Sequence, residues 1–147
     1  MCTAAEVLKG AIAAVLGFPI GRSTTNVKLS EGNKGRLAVR TGSDKEPQGE
    51  KMLQALTLAN DIVRRDVPCR LFAMSRADAE AAYGSAMYDS FEAPSHVTEL
   101  SLVYIEGVNF HASPNRFLTS TGSVGRIAIT KTTFRATKQE LEVCFDV

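Results

Sequence analysis

Glu140-Leu141-Glu142-Val143-Cys144-Phe145-Asp146-Val147 alternates without a break. Leu141, Val143, Phe145 and Val147 fall on one side of an extended segment and Glu140, Glu142, Cys144 and Asp146 on the other, the pattern of a strand with one buried and one wet face. Working back from it, Arg126 to Phe134 and Glu99 to Ile105 are rich in β-branched residues and separated by turn signals. The late half therefore predicts most of a sheet. The early half has a different period. Ala4, Val7, Leu8, Ala11, Ala14 and Val15 recur at helical spacing with Gly17 as a stop. From Glu50, residues Met52, Ala55, Leu56, Ala59, Ile62 and Val63 trace a second amphipathic helix that breaks before Pro68. Phe18 to Gly21 is a connection, and Arg36 to Thr41 is a strand fed by a turn over Gly32 to Gly35. Arg70 to Met74 is a short strand, and Ser75-Arg76-Ala77-Asp78 caps a third helix running to about Tyr83. Helices early and strands late predict an α+β fold, with helices laid on one face of a largely antiparallel sheet.

At 147 residues and 44% hydrophobic content the chain suits one domain, 1–147, with its own core. A net charge of +1 excludes the global positive field of a duplex-coating protein. Three cysteines without paired spacing argue against a disulfide framework and for a reducing, cytoplasmic setting. The apolar run Ala11 to Leu16 is too short to span a membrane, and Glu6 precedes it where a targeting signal carries positive charge. No membrane association is expected.

Five pieces follow one another along the chain: Cys2-Thr3-Ala4-Ala5-Glu6-Val7-Leu8, Gly32-Asn33-Lys34-Gly35, Leu58-Ala59-Asn60-Asp61-Ile62-Val63 with Pro68 beyond it, Ala86-Met87-Tyr88-Asp89, and the run Ile105 to Gly125. In that order, over Cys2 to Val147, the chain resembles the small stand-alone alanyl-tRNA editing proteins, relatives of the editing domains inside alanyl- and threonyl-tRNA synthetases. The first piece stands in the place of the family's His-x-x-x-His helix start. The last aligns with its Cys-x-x-x-His segment and the Thr-Gly-x-x-Gly turn that follows. The resemblance implies an editing-domain-like α+β fold and a trans-acting hydrolase that clears seryl- or glycyl-tRNA made for alanine. It also implies a tRNA acceptor end as partner and, in the family, a zinc cofactor. Carried over residue by residue, the helix histidines have become Cys2 and Glu6, and the later cysteine and histidine have become Ser113 and Phe117. A hydroxyl and a phenyl ring cannot complete a tetrahedral zinc site. No cofactor is expected, and a non-catalytic tRNA-binding or protein-interaction module derived from an editing domain is the alternative function.

Two catalytic candidates follow. Glu6 can act as a general base, or it can serve a capping box, Thr3-Ala4-Ala5-Glu6, in which its carboxylate returns to the Thr3 N–H. His111, two residues before Ser113, points to the same side if the segment is extended, as a base or a replacement ligand, although no acid is evident to orient it. Five residues are candidates for substrate binding. Thr25 resembles a pocket threonine of the family whose hydroxyl senses a seryl side chain. Gly32 and Lys34 sit on a loop suited to a phosphate. Ser113 and Phe117 occupy the former ligand positions, Phe117 offering a ring on which a terminal base can stack. Arg126, Lys131, Arg135 and Lys138 can form a backbone-holding strip, diluted by Glu140 and Glu142.

Overall fold

A computed structural model describes residues 1–21 and 23–147. Its elements run α1 (Cys2–Leu16), β1 (Thr24–Ser30), β2 (Lys34–Arg40), α2 (Gly49–Arg64), β3 (Cys69–Ser75), α3 (Arg76–Tyr83), β4 (Glu99–Ile105), β5 (Asn109–Ala112), β6 (Ala128–Arg135) and β7 (Glu140–Asp146). The fold is α+β, as expected. The strands form two antiparallel sheets rather than one, ordered β1-β2-β7-β6 and β3-β4-β5.

The C-terminal alternation is realised in β7, where Leu141, Val143 and Phe145 are buried in the main core. Gly35 lies against the Phe145 ring, and a Cβ there would collide with it. That contact, rather than the turn, requires glycine at 35; Gly32, with φ 73°, and Asn33, with φ 58°, make the left-handed turn. The strand β1 has no counterpart in the sequence reading because most of it is exposed at a sheet edge, so burial imposed no alternation on it.

The second sheet exists because β4 has two apolar faces. Val103 and Ile105 join the main core, whereas Leu100 and Leu102 pack with Ala79, Met87 and Tyr88 in a smaller one. A single sheet with helices on one face cannot bury both. Helix α3 closes the smaller core and starts as expected, its cap Ser75 accepting from the Asp78 N–H at 3.1 Å.

Helix α1 departs from the amphipathic expectation, being buried on every side from Thr3 to Ala13. Its apolar face packs in the main core, and a polar stripe, Thr3, Glu6 and Lys9, is buried as well. The capping box does not form. The helix begins at Cys2 with Met1 as its cap residue, which places Thr3 inside the first turn, and the Thr3 hydroxyl instead accepts from the Leu118 N–H at 2.9 Å. The Gly17 stop holds, with φ 75° and its N–H on the Ala13 carbonyl.

Helix α2 is tied to the segment leading into β6 by Asn60. The Asn60 side chain accepts from the Ile127 N–H at 3.0 Å and donates to the Ile127 carbonyl at 2.9 Å. Ile127 is 1% exposed, so Asn60→Ala strands two backbone groups. The expected cost is about 2 kcal/mol, or roughly 5 °C in a thermal melt; a shift below about 1 °C would show that water replaces both bonds.

Candidate functional site

The polar stripe of α1 faces the start of β5 and the segment after α3. One helical turn separates Glu6 from Lys9, so their side chains leave the same face. On β5 the two-residue strand period sends Asn109 and His111 inward together. Asp89 follows Tyr88, which is anchored by its buried ring and by its hydroxyl on Glu80 at 2.9 Å. Next to Asp89, the Ser90 N–H donates to the Thr24 carbonyl at 2.9 Å, fixing the segment to β1.

These five side chains close on one another. His111 Nδ1 is 3.0 Å from Glu6 Oε1, and His111 Nε2 is 2.9 Å from Asp89 Oδ2. Lys9 Nζ lies 2.8 Å from Asp89 Oδ1 and 3.3 Å from Glu6 Oε2, which also accepts from the Asn109 amide. Lys9, Glu6, Asn109 and His111 are all buried, while the Asp89 side chain, 22% exposed, is the corner that meets solvent. Burial disfavours charge on His111, yet the bonds it donates to Asp89 and Glu6 outweigh it and hold the imidazolium up to about 9. Burial likewise opposes the Asp89 carboxylate, and His111 with Lys9 overcomes it, bringing Asp89 down to about 2. Glu6 also moves below the usual carboxylate range, burial being outweighed by the bond from His111 and the charge of Lys9. Two carboxylates therefore face two cations, and the cluster is neutral at pH 7. A buried cluster of this kind persists only when its members satisfy one another.

The acids that orient His111 are thus Glu6 and Asp89, where the sequence alone makes neither evident. Asp89 lay in the quoted Ala86-Met87-Tyr88-Asp89 piece without a role, and Lys9 was legible only as the residue one turn beyond Glu6. Asn109 shares the strand parity of His111. Two buried oxygens, Thr24 Oγ1 and Asn109 Oδ1, have no hydrogen-bond partner among the described residues.

The four positions at which the resemblance implies ligands, Cys2, Glu6, Ser113 and Phe117, converge in part. The Thr3–Leu118 bond joins the start of α1 to the segment that carries Ser113 and Phe117. Cys2 is a half-buried free thiol. Ser113 is buried, its N–H on the Ser101 carbonyl and its Oγ accepting from the Asn115 N–H at 3.3 Å. Phe117 is half-buried against the main core. Among the described residues, no three histidine, cysteine, aspartate or glutamate side chains stand as a metal-ligating group. A groove of about 430 Å³ opens beside these positions, lined by Leu71, Ala73, Ser101, Ser113, Arg116 and Phe117.

Three substrate-binding candidates lie elsewhere. Thr25 occupies a bulge of β1 and donates to Glu140 Oε2 at 2.7 Å, away from the cluster. It is the preceding residue, Thr24, that is buried. Gly32 and Lys34 belong to the β1–β2 turn and the outer end of β2.

The fold and this cluster define an α+β domain organised around a buried, self-neutralising ion network. No protein-family model matches the chain. It is similar to one segment of the alanine-tRNA ligases. Identity to the alanine-tRNA ligase of Methanococcus aeolicus is 32% over 130 residues, 88% of this chain and 14% of the ligase. For the Methanopyrus kandleri enzyme it is 32% over 127 residues, 86% and 13%. For that of Korarchaeum cryptofilum it is 36% over 80 residues, 54% and 9%. The chain thus spans about 14% of the length of the first of these relatives. It is an alanine-tRNA-ligase-related domain, and no helix among its described residues is long and apolar enough to cross a membrane.

Proposed function

We propose that the chain is a cytoplasmic, tRNA-binding relative of alanyl-tRNA editing domains that engages the acceptor end without zinc and without efficient hydrolysis. The observation that carries this is His111 held between Glu6 and Asp89 through both ring nitrogens. An imidazolium donating both N–H groups has no lone pair for a metal and none for a proton from water. Glu6 is equally committed, to His111, Asn109 and Lys9. The donor set does not fit a zinc ion. Ser113 and Phe117 stand at two ligand positions, and the Lys9 ammonium supplies positive charge between the carboxylates that a metal would need. No step is routed through a metal. The groove beside Ser113 and Phe117 offers a half-buried ring, a guanidinium at Arg116 and the Ser101 hydroxyl, a lining suited to an unpaired nucleotide. The alanine-tRNA ligase relatives support a tRNA as the bearer of that nucleotide.

A second reading, metal-independent editing of seryl- or glycyl-tRNA, is favoured by one observation, the solvent-reaching Asp89 carboxylate beside a charged imidazole. One experiment separates the two. tRNA for alanine, intact or lacking its CCA end, is titrated by gel shift, and its seryl, glycyl and alanyl esters are incubated with the protein with and without chelator. Binding that weakens at least about tenfold on loss of CCA, or roughly 1.4 kcal/mol, with deacylation at the spontaneous rate, is expected. Chelator-insensitive turnover lost in Glu6→Ala or His111→Ala would establish the second reading. Turnover abolished by chelator, or indifference to CCA, would overturn the first.

A further inference from the structure

The face of the four-stranded sheet turned away from α1 carries more charge than the sequence strip of Arg126, Lys131, Arg135 and Lys138 implied. Because Leu37, Val39, Leu141, Val143 and Phe145 point into the core, their neighbours on β2 and β7 point out. Strand register then brings distant residues into rows. Lys28, Arg36, Cys144 and Lys131 form one row across all four strands; Ser30, Lys34, Asp146 and Ala128 form the next. Arg40, Glu140 and Arg135 form a row at the far end. The face holds six cations, Lys28, Lys34, Arg36, Arg40, Lys131 and Arg135, against three carboxylates, Glu140, Glu142 and Asp146. That is a local excess of three positive charges, where the whole chain carries +1.

The carboxylates are largely committed. Glu140 is bonded to Arg135 and Thr25, and Glu142 lies 3.7 Å from both Arg36 and Arg135. Lys28, Lys34 and Lys131 have no ion-pair partner among the described residues, and all three are exposed. Lys28, Lys34 and Arg36 rim a depression of about 290 Å³, in which Asp146 is the carboxylate. From Lys28 to Lys131 the row crosses three strand spacings, about 14 Å. No aromatic or large apolar side chain interrupts the two central rows. A protein partner would look for such an anchor; a phosphate backbone needs only spread positive charge and hydroxyls.

We infer that this face, centred on Lys28, Lys34, Arg36 and Lys131, is a docking surface for the phosphate backbone of an RNA duplex. The inference rests on the tRNA-binding reading and extends it, since the face lies on the other side of the sheet from the ion network. An acceptor stem is held here by charge alone, independently of its terminal nucleotides.

The test titrates a fluorescent acceptor-stem minihelix lacking its CCA end at several salt concentrations. It compares wild-type protein with the combined variant Lys28→Gln, Lys34→Gln, Lys131→Gln and with a control of equal charge change, Lys45→Gln, Lys51→Gln, Arg65→Gln. All six positions are exposed, so thermal melts of both variants should match the wild type. The face variant is expected to lose at least about tenfold in affinity, and its slope of log affinity against log salt should fall by about 2 to 3. The control should retain most of both. Equal losses in the two variants would reduce the effect to net charge and overturn the assignment of the face. Wild-type binding that the face variant leaves intact would overturn the face alone, whereas no binding of any minihelix, with or without CCA, would overturn the tRNA reading too. Tighter binding to phosphatidylserine vesicles than to the minihelix would make the face a lipid surface instead.

Discussion

Replacing Lys9 with methionine is expected to lower the melting temperature by about 10 °C, the largest effect of any single substitution in the ion network. Lys9 is 2% exposed and touches both carboxylates. Methionine fills similar volume, so the loss is electrostatic. Without the ammonium, Glu6 and Asp89 share only the charge of His111, and one negative charge is left uncompensated in the interior. Breaking a buried ion pair from one side costs about 3–5 kcal/mol, and for a chain of this size each kcal/mol is worth roughly 2–4 °C. The double variant Lys9→Met, Asp89→Asn should recover part of the loss, because it removes the stranded charge along with its partner. A drop below about 2 °C in the single variant, or no recovery in the double, would mean that water already neutralises the cluster.

The second large effect is a dependence of stability on pH that passes through His111. Its folded-state value of about 9 lies above the ordinary 6.5. The stabilisation it brings is therefore complete below pH 6.5, declines as the pH rises through 9, and is absent beyond. The carboxylates act in the opposite sense. Asp89, at about 2 against an ordinary 3.8, contributes above pH 3.8 and loses its contribution as the pH falls toward 2, and Glu6 shifts in the same direction. The network is thus at full strength between about pH 4 and 6.5. Across the alkaline limb the loss is of order 3 kcal/mol. In denaturant titrations at pH 6 and pH 9.5, wild-type protein should show that decline and His111→Gln should not, so that their difference narrows with rising pH. Parallel curves for the two would show that His111 does not titrate with folding.

The physics of the two periods explains which parts of the fold could be read from sequence. β7, α2 and the Ser75 cap of α3 each carry a complete local signal, and the structure places them within a residue or two of expectation. β1 carries none, because an exposed edge strand has no burial to enforce alternation. Division into two sheets depends on which faces of β4 meet which partners, a long-range fact absent from any local window. The candidate site divides the same way. Glu6 and His111 stand out by residue type and position, and they do meet. Lys9 carries no signal of its own in the sequence, and Asp89 lies 80 residues from it, so their bond required the tertiary structure. The misread capping box has a simple cause. Thr-x-x-Glu satisfies the motif wherever it falls, but starting α1 one residue before Thr3 moved the threonine into the helix and freed Glu6 to face His111.

The protonation of His111 at pH 7 bears most directly on whether this site is closed to metal and to general-base chemistry. Nitrogen-15 NMR of the imidazole reads both ring nitrogens separately. Two protonated nitrogens at pH 7, with the ring's one titratable proton lost only near pH 9 and both signals unmoved by added zinc, are expected from the geometry of Glu6 and Asp89. One unprotonated nitrogen at pH 7, with titration near 6.5 or a shift on adding zinc, would contradict the closed network and leave His111 available as a base or a ligand.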